Sequence, residues 1–171
     1  MLTVTGAVVV GGAGNTNRTG IITFASGSTL IANSVQLGNS NTTPAAGTID
    51  MTAGGTLQTG VLSVGTAGGT WTPGAGSVVM TANNTLPSSV FSSFNNFRVT
   101  AGATTTSQGL TIGGNLVVGN AATLNAAANA ALTVNGTTTI GGGTSGTFNI
   151  TAYNSSPVLK GLVTVNSGAI W

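Results

Sequence analysis

Short apolar bursts recur along the whole chain, beginning at Leu2, Leu30, Leu57, Leu86, Leu110, Leu132 and Leu159, in steps of 28, 27, 29, 24, 22 and 27 residues. Repetition on this scale constrains the fold more than any local motif. A unit this short cannot bury an apolar face alone, so the units must stack and close a shared core. Leu2-Thr-Val-Thr-Gly-Ala-Val-Val-Val10 aligns with Leu110-Thr-Ile-Gly-Gly-Asn-Leu-Val-Val118 and with Leu132-Thr-Val-Asn-Gly-Thr-Thr-Thr-Ile140. Leu57–Val64 and Leu159–Val165 are shortened forms of the same phrase. A third burst follows at Gly20–Phe24, Gly47–Met51, Gly76–Met80 and Gly146–Ile150. Each unit therefore reads as three strands.

Alternation within a burst sends neighbouring side chains to opposite faces. Ile49 and Met51 share a face opposite Asp50, and Phe97 and Val99 share a face opposite Arg98. Charge outside and apolar residues inside describe a coil around a dry bore, with glycines at the corners. Three short strands and three turns need roughly 20 to 28 residues, so one unit makes one coil. The expected fold is all-β: a right-handed parallel β-helix (β-solenoid) of about six coils of roughly 27 residues, three strands per coil. The whole of 1–171 reads as a single β-solenoid domain, with an irregular coil or side loop around 81–108, where Leu86, Phe91, Phe94 and Phe97 depart from the template. Alanines between Asn120 and Ala131 suit a tight corner, and alternatively a short helix capped by Asn120.

Composition supports this reading. Charged residues make up 2% of the chain, with three Lys or Arg, one acid and no His, while 40% is hydrophobic. A disordered chain has the opposite signature. Stacked coils place equivalent side chains about 5 Å apart, where like charges at an effective dielectric near 20 repel by about 3 kcal/mol before screening. Thr, Ser and Asn form hydrogen-bonded ladders there instead. A mean hydropathy of +0.41 does not imply a spanning helix, because no run approaches about 20 apolar residues. The pI near 10.0 reflects Arg18, Arg98 and Lys160 against Asp50, too few and too scattered for a phosphate-binding stripe, so nucleic acid is not an expected partner. The chain has no Cys, which removes disulfides and thiolate metal sites. No basic segment followed by an apolar core is legible at Met1, which implies a removed leader or a start inside a larger protein.

With the repeat in view, Gly69-Thr-Trp-Thr-Pro-Gly-Ala-Gly-Ser-Val-Val-Met80 and Phe94-Asn-Asn-Phe-Arg-Val99 resemble the repeats of large bacterial surface proteins. These are the filamentous-haemagglutinin-like adhesins and autotransporter passenger regions. The resemblance implies a right-handed parallel β-helix that projects from cells and mediates adhesion or aggregation. It carries no catalytic motif onto positions of this chain.

The residue inventory argues against an enzyme. Solenoid hydrolases and lyases use paired carboxylates or acids around a metal, whereas Asp50 is alone and the chain has neither Glu nor His. No Ser-His-Asp arrangement can be assembled. Lys160 leaves a Ser-Lys dyad as a formal option, and a solvated lysine is its ordinary reading. No catalytic, cofactor or metal residues are expected, since zinc lacks its ligands and calcium would find one carboxylate. Gly141-Gly-Gly-Thr-Ser-Gly146 has dinucleotide-binding spacing, but a strand pattern follows it and no acid lies about 20 residues on.

Acceptor sequences for N-glycosylation lie at Asn17, Asn41, Asn83, Asn135, Asn149 and Asn154. Trp71 is expected to cover a core edge at a turn rather than to stack on sugar. The pattern opens at Leu2-Thr-Val and stops at Ala169-Ile-Trp171 without polar caps, so Leu2, Val4, Ile170 and Trp171 are expected assembly contacts. The chain thus reads as a secreted, cell-surface structural protein, a filament subunit or surface-stalk segment stacked end to end with copies of itself or with flanking coils of a larger chain. The alternative is an adhesin or binding module that recognises glycan, less readily ice, through a Thr/Asn-rich face. Thr3-Val-Thr5, Thr70-Trp-Thr72, Thr104-Thr-Thr106 and Thr137-Thr-Thr139 motivate it.

Overall fold

The computed structural model describes residues 1–12, 18–40, 43, 45–106, 108–126, 130–150 and 156–171. Among the described residues every regular element is a strand, β1 to β19 in chain order, and every ladder is parallel. Among the described residues no helix is long and apolar enough to cross a membrane.

One eight-stranded sheet runs through the whole stack. It takes β1 (Leu2–Val10), β3 (Thr29–Leu37), β5 (Thr56–Val64), β7 (Ser77–Met80), β10 (Asn96–Val99), β13 (Leu116–Val118), β16 (Thr138–Ile140) and β19 (Val163–Val165), neighbours in that order. Its registered column Leu30, Leu57, Val78, Phe97, Leu116, Thr138 lies on the bore face, and all six are buried. Burying such side chains contributes roughly 1.5–3 kcal/mol each, against about 1–2 kcal/mol per residue for ordering backbone. The stack stands because each coil covers its neighbour.

The other faces change partway. A three-stranded sheet, β2 (Gly20–Thr23), β4 (Gly47–Asp50) and β6 (Gly69–Thr72), closes the N-terminal coils. There the long strands carry two faces at once: the β1–β3 ladder shifts register between Val4 and Ala7, and Asn33 Nδ2 donates to Thr5 O at 2.6 Å across that bend. From β7 onward the faces separate. One four-stranded sheet holds β8 (Asn84–Thr85), β11 (Gly102–Thr105), β14 (Ala122–Asn125) and β17 (Thr147–Asn149). The other holds β9 (Ser93–Phe94), β12 (Leu110–Ile112), β15 (Leu132–Val134) and β18 (Pro157–Leu159). Three strands per unit therefore hold after β7, and before it two of the three are fused.

Register steps along the long sheet are 28, 27, 21, 19, 19, 22 and 25 residues. The expected spacing of roughly 27 holds only for the first two steps. This rephases several sequence alignments. Leu110 and Leu132 pair with each other in β12 and β15, not on the face of Leu2. Gly76–Met80 contributes β7 to the long sheet, and Gly146–Ile150 contributes β17. Residues 81–108 hold β8 to β11, all in ladders. The alanine-rich stretch does not start a helix at Asn120: residues 122–125 are β14, in register with β11 and β17. Ladder bonds to two neighbours outweigh alanine's helix propensity.

At the joint between the two halves, Trp71 of β6 covers the first coil of the C-terminal half. Its ring lies 5.3 Å from Phe91 and 5.6 Å from Phe94, edge-on to both, and its Nε1 donates to Ser93 O at 2.8 Å. The residue expected at a turn is inside a strand, yet it does cover a core edge.

Candidate functional site

Parity places the charges outside. Asp50 and Arg98 point away from the bore between buried neighbours, and Lys160 is exposed. Among the described residues no three His, Cys, Asp or Glu come together. The Thr52 side-chain hydroxyl, then the Thr52 backbone N–H, each donate to Asp50 Oδ1, at 2.6 and 2.8 Å, and hold its carboxyl below the usual carboxylate range. The sign follows from linkage: a depressed folded pKa stabilises above the unfolded value and is lost as pH falls through the folded one. With one carboxylate side chain and no His, no side chain changes charge between roughly pH 5 and 8. The thermal midpoint is expected to be flat across that range and to fall slightly below it. Asp50→Asn should flatten the acid limb; a steep midpoint change near neutrality would contradict the assignment.

Asn side chains tie coil to coil at the corners. Asn83 Oδ1 accepts from Ala103 N at 2.8 Å, Asn96 Oδ1 from Asn115 N at 3.0 Å, and Asn115 Oδ1 from Thr137 N at 2.9 Å. Asn120 goes furthest. Its Oδ1 accepts from the backbone N–H groups of Gly142, Thr144 and Ser145, at 2.8, 3.3 and 3.3 Å. The 141–146 loop with dinucleotide-like spacing is thus a nest of donors filled by an amide oxygen of the preceding coil. Asn120→Ala is expected to cost about 0.5–1.5 kcal/mol in urea unfolding, because water replaces the lost oxygen at this exposed corner only in part. Asn120→Asp, which keeps the oxygen, should cost less.

Outer faces carry polar ladders. Asn125 Nδ2 donates to Thr105 Oγ1 at 3.3 Å, and Asn149 Nδ2 to Asn125 Oδ1 at 3.2 Å. The Thr clusters do not share a face. Thr104 and Thr106 turn inward and are buried, Thr70 and Thr72 lie on β6, and Thr3 and Thr139 lie on the long sheet. Of the glycosylation candidates, Asn17, Asn41 and Asn154 lie outside the described residues. Asn83 and Asn135 are exposed, and Asn149 is half-buried within its ladder.

The two ends of the stack gather the expected assembly residues. At one end Leu2 and Val4 lie on the bore face of β1, in register with buried Leu30 and Ala32. With Val8, Ile22, Phe24 and Leu30 they line an open apolar recess of about 340 Å³. At the other end Val163 and Val165 continue the bore face of β16, and Ile170 bridges to Thr147. The Trp171 ring stands edge-on 5.6 Å from buried Phe148. Ile21 and Leu162 are exposed at these ends as well, at 67% and 72%. Sequence reasoning missed both, and the doubled apolar residues of Gly20-Ile-Ile-Thr23 were the available signal for Ile21.

Compared with models of known protein families, with curated proteins and with solved structures, the chain matches none.

Proposed function

We propose that the chain is a non-catalytic structural protein, an extracellular filament subunit or surface-stalk segment, built as a right-handed parallel β-helix that lengthens by end-to-end stacking of coils. One observation carries this reading: β1 and β19 each leave an edge of the same parallel sheet unpaired, with apolar bore residues at both edges. An unpaired edge is a template for another strand, whether from a second copy or from flanking coils of a longer chain. Secretion and display at the cell surface rest on the near absence of charge and on outer faces of Thr, Ser and Asn. Adhesion, as in the bacterial surface proteins whose repeats these segments resemble, would then belong to the lateral faces. Electron microscopy of the purified chain is the test. Unbranched filaments one solenoid wide are expected, and monomers alone at high concentration would contradict the filament reading.

A second reading, recognition of glycan or less readily ice, is favoured by the outward Thr105, Asn125 and Asn149 ladder, which gives a flat uncharged strip. Glycan-array binding and thermal hysteresis that both read blank would remove it.

A further inference from the structure

Any partner for the free ends must meet three conditions set by the edges themselves. The first is direction and phase. Leu162 O accepts from Thr138 N, and Asn166 N donates to Ile140 O, both at 2.9 Å. Residues 162, 164 and 166 therefore spend their backbone groups on β16, and alternation turns the N–H and C=O of Val163 and Val165 toward the open side. A covering strand that continues the stack runs parallel and sends apolar residues inward opposite these two valines. β1 does so, since Leu2 and Val4 flank an outward Thr3 just as Val163 and Val165 flank Thr164.

The second condition is shape. One end is hollow, with the recess of about 340 Å³. The other end carries a bulky ring: the bridge of Ile170 to Thr147 sets Trp171 beside Phe148 on the bore side, yet Trp171 remains 47% exposed. The third is charge. Neither edge strand contains a charged residue, and the cations nearest the ends, Arg18 and Lys160, sit at different corners, after β1 and after β18.

The chain's own opposite end meets all three. We propose that a second copy covers the edge head to tail: β1 of one copy pairs in parallel with β19 of the next in the register Leu2–Val163, Thr3–Thr164 and Val4–Val165, and Trp171 enters the recess beside Val8 and Phe24. The proposal rests on the stacking reading above and gives it a partner, a polarity and a register. The contact joins different surfaces along the sheet-stacking direction, so it gives an open stack rather than a two-fold dimer, and each addition recreates the same edge.

Absence of native cysteine makes the test clean. Thr3 and Thr164 are both exposed and point outward. In the proposed register their Cα atoms stand about 4.8 Å apart, within disulfide reach. Thr3→Cys and Thr164→Cys are prepared separately and mixed under mild oxidation. The mixture is expected to give covalent dimer in about tenfold excess over either variant alone, because only unlike ends meet at high effective concentration. Adding Trp171→Ala to the Thr164→Cys copy should cut that yield severalfold while the circular dichroism spectrum keeps its strand signature. Equal cross-linking of Thr3→Cys with itself would overturn the polarity. Filaments by microscopy with no preference for the mixed pair would leave stacking intact and overturn this register. Monomers by sedimentation with no cross-link would overturn the second copy as partner and leave flanking coils of a longer chain as the cover.

Discussion

Phe94→Ala is expected to lower stability by about 3–5 kcal/mol, the range for removing a fully buried phenyl ring that its surroundings cannot refill. Phe94 is 2% exposed, and its ring centroid lies 4.5 Å from Phe97, 5.6 Å from Trp71 and 6.4 Å from Phe91. These rings fill the joint where the β2–β4–β6 sheet ends and the β9–β12–β15–β18 sheet begins. Only Thr56–Thr59 of β5 pairs across that joint with β7, so packing there substitutes for ladder bonds that the backbone does not make. The loss should exceed that of Leu116→Ala, at about 2–5 kcal/mol, in the continuous part of the long sheet. It should also split the urea transition in two, because the halves would unfold separately. A single unshifted transition would show that the aromatic cluster does not couple them.

Gly38→Ala is expected to be nearly as damaging, at about 3 kcal/mol or more, from two sources of different kinds. Gly38 has φ +74°, a left-handed conformation that costs a residue with a Cβ about 1–2 kcal/mol. A Cβ there would also strike the carbonyl oxygen of Gly68 in the next coil, a backbone atom that accepts from Gly47 N. Gly27 separates the two. Its φ is +71° but a Cβ would meet nothing within 4 Å, so Gly27→Ala should cost only the conformational part. Equal losses at both positions, measured by urea midpoints, would mean that the coils are not in contact at that corner.

The inward and outward assignment was legible from the sequence because parity is a local property. Asp50 between Ile49 and Met51, and Arg98 between Phe97 and Val99, state their faces within three residues, and both lie as alternation requires. The stacking of Leu2 on Leu30 and Leu30 on Leu57 was legible too, because those coils have nearly equal lengths. Face identity beyond Leu57 was not. Coils there shorten by trimming corners, and an apolar-x-apolar burst such as Leu110-Thr-Ile112 reads the same on any of three faces. Pairing it with Leu132–Val134, rather than with Leu57, depends on contacts that spacing does not encode. Of the candidate assembly surface, Leu2, Val4, Ile170 and Trp171 were legible as an unfinished pattern. The recess was not, because Val8, Ile22 and Phe24 come together only when two faces close.

A solenoid requires the successive strands of one parallel sheet to follow one another along a single axis in chain order. Spin-label distances across the outward column Gln58, Val79, Arg98, Val117, Thr139 and Thr164 test it most directly, with labelled chain diluted in unlabelled chain. At about 4.8 Å per strand, label pairs Gln58–Thr139 and Gln58–Thr164 should lie about 19 and 24 Å apart, before label linkers are added. A Gln58–Thr164 distance equal to or shorter than Gln58–Thr139 would place β19 elsewhere and contradict the stack.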